Sequence, residues 1–224
     1  MQDKGLYDIN TAGMESIVST NKVLRNTYML LGMTLLFSAV TAGISMAIGL
    51  PQGAALILTL VGFGLLFVVN RMADSSKGII AIFAFTGVMG ASLGPMLNYY
   101  LAMPGGPALV MQALGGTALV FFGLSAYALT TRKDFSFMGG FLMVGLLLAV
   151  VAMIANIFMG IPALSLTISA VVVMIMSGLI LFDTSRIIHG GETNYIRATV
   201  SLYLNIYNLF IHLLSLLTAL GGDD

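Results

Sequence analysis

A chain of 224 residues that is 58% hydrophobic and 8% charged, with a mean hydropathy of +1.02, is too apolar for a water-soluble domain and reads as an integral membrane protein. Nine Lys+Arg against nine Asp+Glu give a formal net charge of zero, which excludes a general basic patch for nucleic acid. Zero Cys excludes disulfides, thiolate metal sites and cysteine nucleophiles, and zero Trp leaves any interfacial aromatic belt to Tyr and Phe.

The segment from Met1 to Asn26 carries Gly5, Gly13 and several Ser, Thr and Asn without a sustained apolar period, and is expected to form a mobile cytoplasmic tail. No cleavable signal peptide shows in it, so the first span is expected to act as the insertion signal. Apolar runs follow at Thr27 to Gly49, Gly53 to Asn70, Gly78 to Leu101, Ala108 to Thr130, Phe135 to Met159, Pro162 to Phe182 and Ala198 to Leu220. Each is about the 20 residues that cross a hydrocarbon core. The expected fold is therefore an all-α polytopic membrane protein, with residues 27–224 as its seven-helix domain. Short loops pair spans one with two, three with four and five with six as hairpins, leaving the seventh helix for the centre.

The loops orient it. Lys4, Lys22 and Arg25 precede span one, Arg71 and Lys77 lie between two and three, Arg132 and Lys133 between four and five, and Arg186 and Arg197 between six and seven. The opposite loops carry no charge, and Asp223 and Asp224 add only negative charge on that side. The positive-inside rule then predicts a cytoplasmic N-terminus and an outer C-terminus. Gly87, Gly90 and Gly94 in span three and Gly115, Gly116 and Gly123 in span four are expected to let helix backbones approach closely. Pro95 is expected to distort span three, and the sixteen Met to serve as flexible packing at helix interfaces.

Span seven breaks the apolar pattern. Ser201, Asn205, Asn208, His212 and Ser215 recur at alternating steps of four and three, so a helix places all five on one stripe. Hydrocarbon offers that stripe no hydrogen-bond partners, so it must face other helices or a wet cavity. Asp183 closes span six beside Arg186, and Arg71 closes span two at the same membrane side. Pairing of Asp183 with Arg71 or Arg186 would lower the cost of a charge at that depth and latch spans two, six and seven together. Such a latch serves either structure or gating, and acid would weaken it.

Other polar residues invite chemistry. His212, Asn208 and Asn205 allow a proton relay, against which stands a neutral hydrogen-bonded imidazole that only packs. Asn156 and Asn98 are amides able to cross-link helices. His189 and Glu192 share a loop but fall short of a metal ligand set. Gly123-Leu124-Ser125-Ala126 is similar to the serine motif of rhomboid intramembrane proteases, with His212 as the conceivable base, yet nothing else supports an oxyanion site. Asp183 is the lone acid in or at the end of a span, which argues against a paired-aspartate protease. The expectation is a protein that is not an enzyme.

Longer strings carry a resemblance. Ser92-Leu93-Gly94-Pro95, Leu129-Thr130-Thr131-Arg132-Lys133-Asp134, Phe182-Asp183, Ser201-Leu202-Tyr203-Leu204-Asn205 and Asn208-Leu209-Phe210 resemble the transmembrane Bax inhibitor motif family over almost the whole chain after the first 26 residues. Lys22-Val23-Leu24-Arg25-Asn26-Thr27-Tyr28 and the run from His189 to Tyr203 resemble its bacterial inner-membrane members. The resemblance implies paired helices around a central seventh helix, and two functions. One is modulation of the membrane-bound ATP-dependent protease FtsH, with its associated regulators, through the N-terminal tail in the inner membrane. The other is a pH-sensitive calcium leak, with calcium as transported ion rather than cofactor. For the leak, Asp183 matches the helix-six carboxylate, Arg71 the helix-two arginine, and Asn205 falls where a helix-seven carboxylate is expected. One carboxylate with an amide loses the mutual repulsion of two, and makes a weak calcium site at Asp183 and Asn205.

Overall fold

A computed structural model describes residues 3–221, with side chains described over 20–221, and shows seven α-helices. They are α1 (Asp3–Ala47), α2 (Gln52–Met72), α3 (Lys77–Leu101), α4 (Gly106–Thr131), α5 (Met138–Met159), α6 (Pro162–Ile188) and α7 (Tyr195–Gly221). Each is long and apolar enough to span a membrane, and no strand occurs among the described residues.

The boundary drawn at Asn26 falls inside α1. Val23, Leu24, Thr27, Leu30 and Leu31 follow each other at helical spacing and turn inward, while Asn21, Lys22 and Arg25 are exposed. Polar residues on the outer face of these turns hide the inward-facing apolar stripe of this part of α1. The side chains of the earlier tail residues, and Asp223 and Asp224, lie outside the described residues. At the other end of the fold, α6 runs six residues beyond Phe182, so Asp183 stands inside a helix rather than at its end.

α7 occupies the centre, packing on α6, α4, α1, α3 and α2, with α5 held outside on α6. The chain connects as hairpins, but the packing does not follow them all: α1 lies against α3, α2 covers the other side of α3, and α1 and α2 do not pack together. The glycines of α3 explain the first of these pairings. A Cβ at Gly87 would overlap Phe37, at Gly90 Ser38 and Thr41, and at Gly94 Ser45, so only bare backbone admits α1 this closely. The α4 glycines differ from expectation. A Cβ at Gly115 or Gly123 meets nothing within 4 Å, and one at Gly116 would make an ordinary 3.6 Å contact with Leu213.

The α1–α3 contact also repairs α3. Pro95 has no N–H, which leaves the carbonyl of Ala91, one turn back, without its helical donor. Ser45 of α1 supplies one, its Oγ donating to Ala91 O at 2.7 Å, and α3 continues unbroken to Leu101. Asn98 then ties α3 to α1 through Met46 O at 3.1 Å, and Asn156 ties α5 to α6 through Ser165 Oγ at 2.6 Å, as expected of both amides.

Candidate functional site: a buried carboxylate–amide pair

The basic ends of the helices enclose a cluster of polar side chains. Asp183 on α6 is 9% exposed and Asn205 on α7 is 5% exposed, and Asn205 Nδ2 donates to Asp183 Oδ2 at 2.7 Å. Neighbours on both helices are hydroxyls. Thr184 Oγ1 lies 3.4 Å from Tyr28 OH of α1, and Thr199 Oγ1 donates to Tyr195 O at 2.7 Å and to Thr27 O at 3.3 Å. Ser185 Oγ accepts the N–H of Phe135 at 3.0 Å and lies 3.2 Å from Lys133 O, pinning the α4–α5 loop to α6. Three helices and the α4–α5 loop therefore meet here through side-chain oxygens, as burial of such groups requires.

The arginines stand apart from this pair. Among the described residues the ion pairs are Arg186–Glu192 at 3.7 Å and Arg197–Asp74 at 2.5 Å, and Asp183 is in neither. Arg186 also donates to Gly191 O at 3.2 Å and covers the Phe182 ring, while Arg71 is exposed on α2, which packs on α3 rather than α6. The expected latch of Asp183 to Arg71 or Arg186 is thus replaced by Asn205. Burial decides this: a guanidinium can reach water at the membrane edge, whereas an amide donor fits inside without carrying a charge.

The polar stripe of α7 divides among separate partners. Asn205 reaches Asp183, His212 Nδ1 lies 3.1 Å from Ser169 Oγ of α6, and Asn208 turns back on its own helix to Leu204 O at 2.8 Å. Ser201 and Ser215 lie half-buried on the same face. The stripe does face protein, but it does not chain His212 to Asn205 as a relay needs. Ser125 Oγ is buried with no hydrogen-bond partner, and the imidazole that could have served it is engaged with Ser169.

A tether that the sequence reading missed closes the same end. Asn194 caps α7, its Oδ1 accepting the N–H groups of Ile196 at 2.9 Å and Arg197 at 3.1 Å. Its Nδ2 donates to Ala73 O and Asp74 Oδ1, and Arg197 pairs with Asp74, fixing the α2–α3 loop to the start of α7. An Asn just before an apolar helical run was the available signal. In the α4–α5 loop, hydrogen bonds from Ser136 hold the Asp134 carboxyl below the usual carboxylate range. His189 is likewise structural, its Nδ1 lying 2.9 Å from Ser185 O and its Nε2 3.2 Å from Arg132 O.

This architecture, with a carboxylate of the sixth helix locked to the seventh, coincides with a match of residues 20–222 to the family described as inhibitor of apoptosis-promoting Bax1. The chain belongs to the Bax inhibitor-1 family. It is 60% identical over 209 residues to the modulator of FtsH protease YccA of Escherichia coli K12, covering 93% of this chain and 94% of that one. The inner membrane protein YccA of Escherichia coli O6:H1 gives the same identity and coverage. A membrane protein of Vibrio cholerae is 53% identical over 215 residues, covering 96% of each chain. Family membership and relatives' names describe a membrane protein that modulates rather than catalyses. No group of three or more His, Cys, Asp or Glu able to hold a metal ion occurs among the described residues.

Proposed function

We propose that the chain acts in the bacterial inner membrane as a modulator of the membrane-bound ATP-dependent protease FtsH and its associated regulators in membrane-protein quality control. One observation carries this reading, the 60% identity over 93% of the chain to a protein named for that role. The basic residues Arg71, Lys77, Arg132, Lys133, Arg186 and Arg197 all cluster at or just past the same ends of α2 to α7, which supports a cytoplasmic N-terminus. The handle for the protease is then the part of the N-terminal tail that precedes Val23, because Val23, Leu24 and Thr27 are committed to the fold.

Expressing the chain in cells that contain FtsH is expected to lengthen the half-life of other membrane substrates of that protease, and removal of residues 2–19 to abolish this. An unchanged effect after removal rejects the handle, and no effect of the full chain rejects the modulator.

A second reading, a pH-sensitive calcium leak, draws on the direct contact between Asp183 and Asn205. The donor set is thin for a hard divalent cation, which favours several anionic oxygens. In liposomes holding the purified chain, Asn205→Asp is expected to raise calcium flux and Asp183→Asn to lower it across a pH series. Silence in the parent and both variants removes the leak.

A further inference from the structure

α1 and α4 flank α7 with their backbones apart, and between them lies a cavity of about 420 Å³. Its floor is the face of α7 formed by Tyr203, Ile206, Tyr207 and Phe210. Its rim is Ala39 and Gly43 on α1 and Leu114 and Phe122 on α4, all four exposed, so the cavity opens sideways toward the bilayer rather than toward water. The walls extend from Leu35 to Met46 on α1 and from Val110 to Phe122 on α4. At 1.5 Å per residue that is a slot about 16–18 Å long, close to half of a hydrocarbon core about 30 Å thick. The slot lies toward the uncharged loops, because α1 ends and α4 begins on that side.

Its chemistry is as restrictive as its length. The hydroxyls near the slot are already engaged within the protein: Ser38 with Tyr203 at 2.7 Å, Ser92 with Tyr207 at 3.0 Å, and Thr117 with Ala113 O at 2.7 Å. A polar ligand would find no free donor here and would lose its own hydration. Toward the basic side the rings of Tyr28 and Phe121 meet at 6.0 Å between centroids and bridge α1 to α4. A membrane-spanning helix of a partner needs the full thickness and is longer than the slot, which this bridge closes. A flexible chain one leaflet long does not.

We infer that the slot between α1 and α4 is a binding site for one acyl chain of a phospholipid from the leaflet on the uncharged-loop side. Exposed Ala39 and Gly43 give the chain a flat wall, and the α7 rings and Ile206 provide the van der Waals contact that holds an apolar chain within hydrocarbon. Recognition is of the chain, so the headgroup is not selected.

The test is native mass spectrometry of the full chain released from detergent micelles after extensive washing. A Cβ at Gly43 meets nothing within 4 Å, so Gly43→Phe fills the slot without disturbing the helices, and Gly64→Phe on exposed α2 is the matched control. The parent and the control are expected to retain one phospholipid and Gly43→Phe to lose it, because the ring takes the volume that the acyl chain would fill. Ala118→Phe fills the slot from the opposite wall and is expected to do the same, which keeps the test valid if Gly43→Phe folds poorly. No retained phospholipid in the parent, equal retention in parent and filled variants, or a retained polypeptide in place of lipid would each overturn the site.

Discussion

Asn205→Leu is expected to destabilise the fold by about 2–3 kcal/mol, because it leaves a buried carboxyl oxygen without its donor. Asp183 is nearly enclosed, and its partner is the carboxamide of Asn205 at 2.7 Å. Asp183→Asn should cost less, on the order of 1 kcal/mol, since an amide in its place keeps an oxygen to accept the same N–H. The double variant Asp183→Leu with Asn205→Leu removes both halves, and should be less harmful than the sum of the single losses. Thermal unfolding in detergent measures all of these. Equal losses for Asn205→Leu and for Ser201→Leu, at a half-buried position, would show that the pair holds nothing together.

That outcome bears on both functional readings. If the pair is a clamp between α6 and α7, its loss loosens the centre of the molecule and changes how readily the protein is unfolded and degraded. If it is a gate, the same contact is the closed position. The clamp and the gate differ in flux, not in stability.

How far the sequence reached follows from what hydrocarbon can and cannot distinguish. Seven spans were legible because run length and polarity report on crossing a membrane, and the α7 stripe was legible because Asn205 and His212 have nowhere to bond except α6. Helix pairing was not legible. An apolar side chain facing lipid and one facing another helix look the same to hydropathy. The hydrophobicity of α5 therefore gave no sign that it lies outside on α6, nor did the short α1–α2 loop show that those helices stay apart. The partner of Asp183 was misread because charge was matched to charge along the membrane edge, whereas α6 carries the carboxyl inward and Arg186 outward to Glu192.

The glycine signal worked in one helix and failed in the next. Gly90→Leu is expected to cost about 3 kcal/mol or more, since overpacking alone costs about 1–3 kcal/mol and here the obstruction is backbone as well as side chain. The atoms in the way are Ser38 O, Ser38 Oγ and Thr41 Oγ1 of α1. Pushing α1 outward would also draw Ser38 from Tyr203, the buried ring that stands edge-on to Phe85 at 5.6 Å and links α7 to both neighbours. Gly123→Leu makes the same chemical change where a Cβ meets open space, and should leave stability unchanged or raise it by up to about 1 kcal/mol through helix propensity. Thermal unfolding of the two variants side by side decides the matter. Comparable losses would mean that α1 and α3 are not in register through their small residues, and then Ser45 could not be the donor that replaces the missing N–H of Pro95.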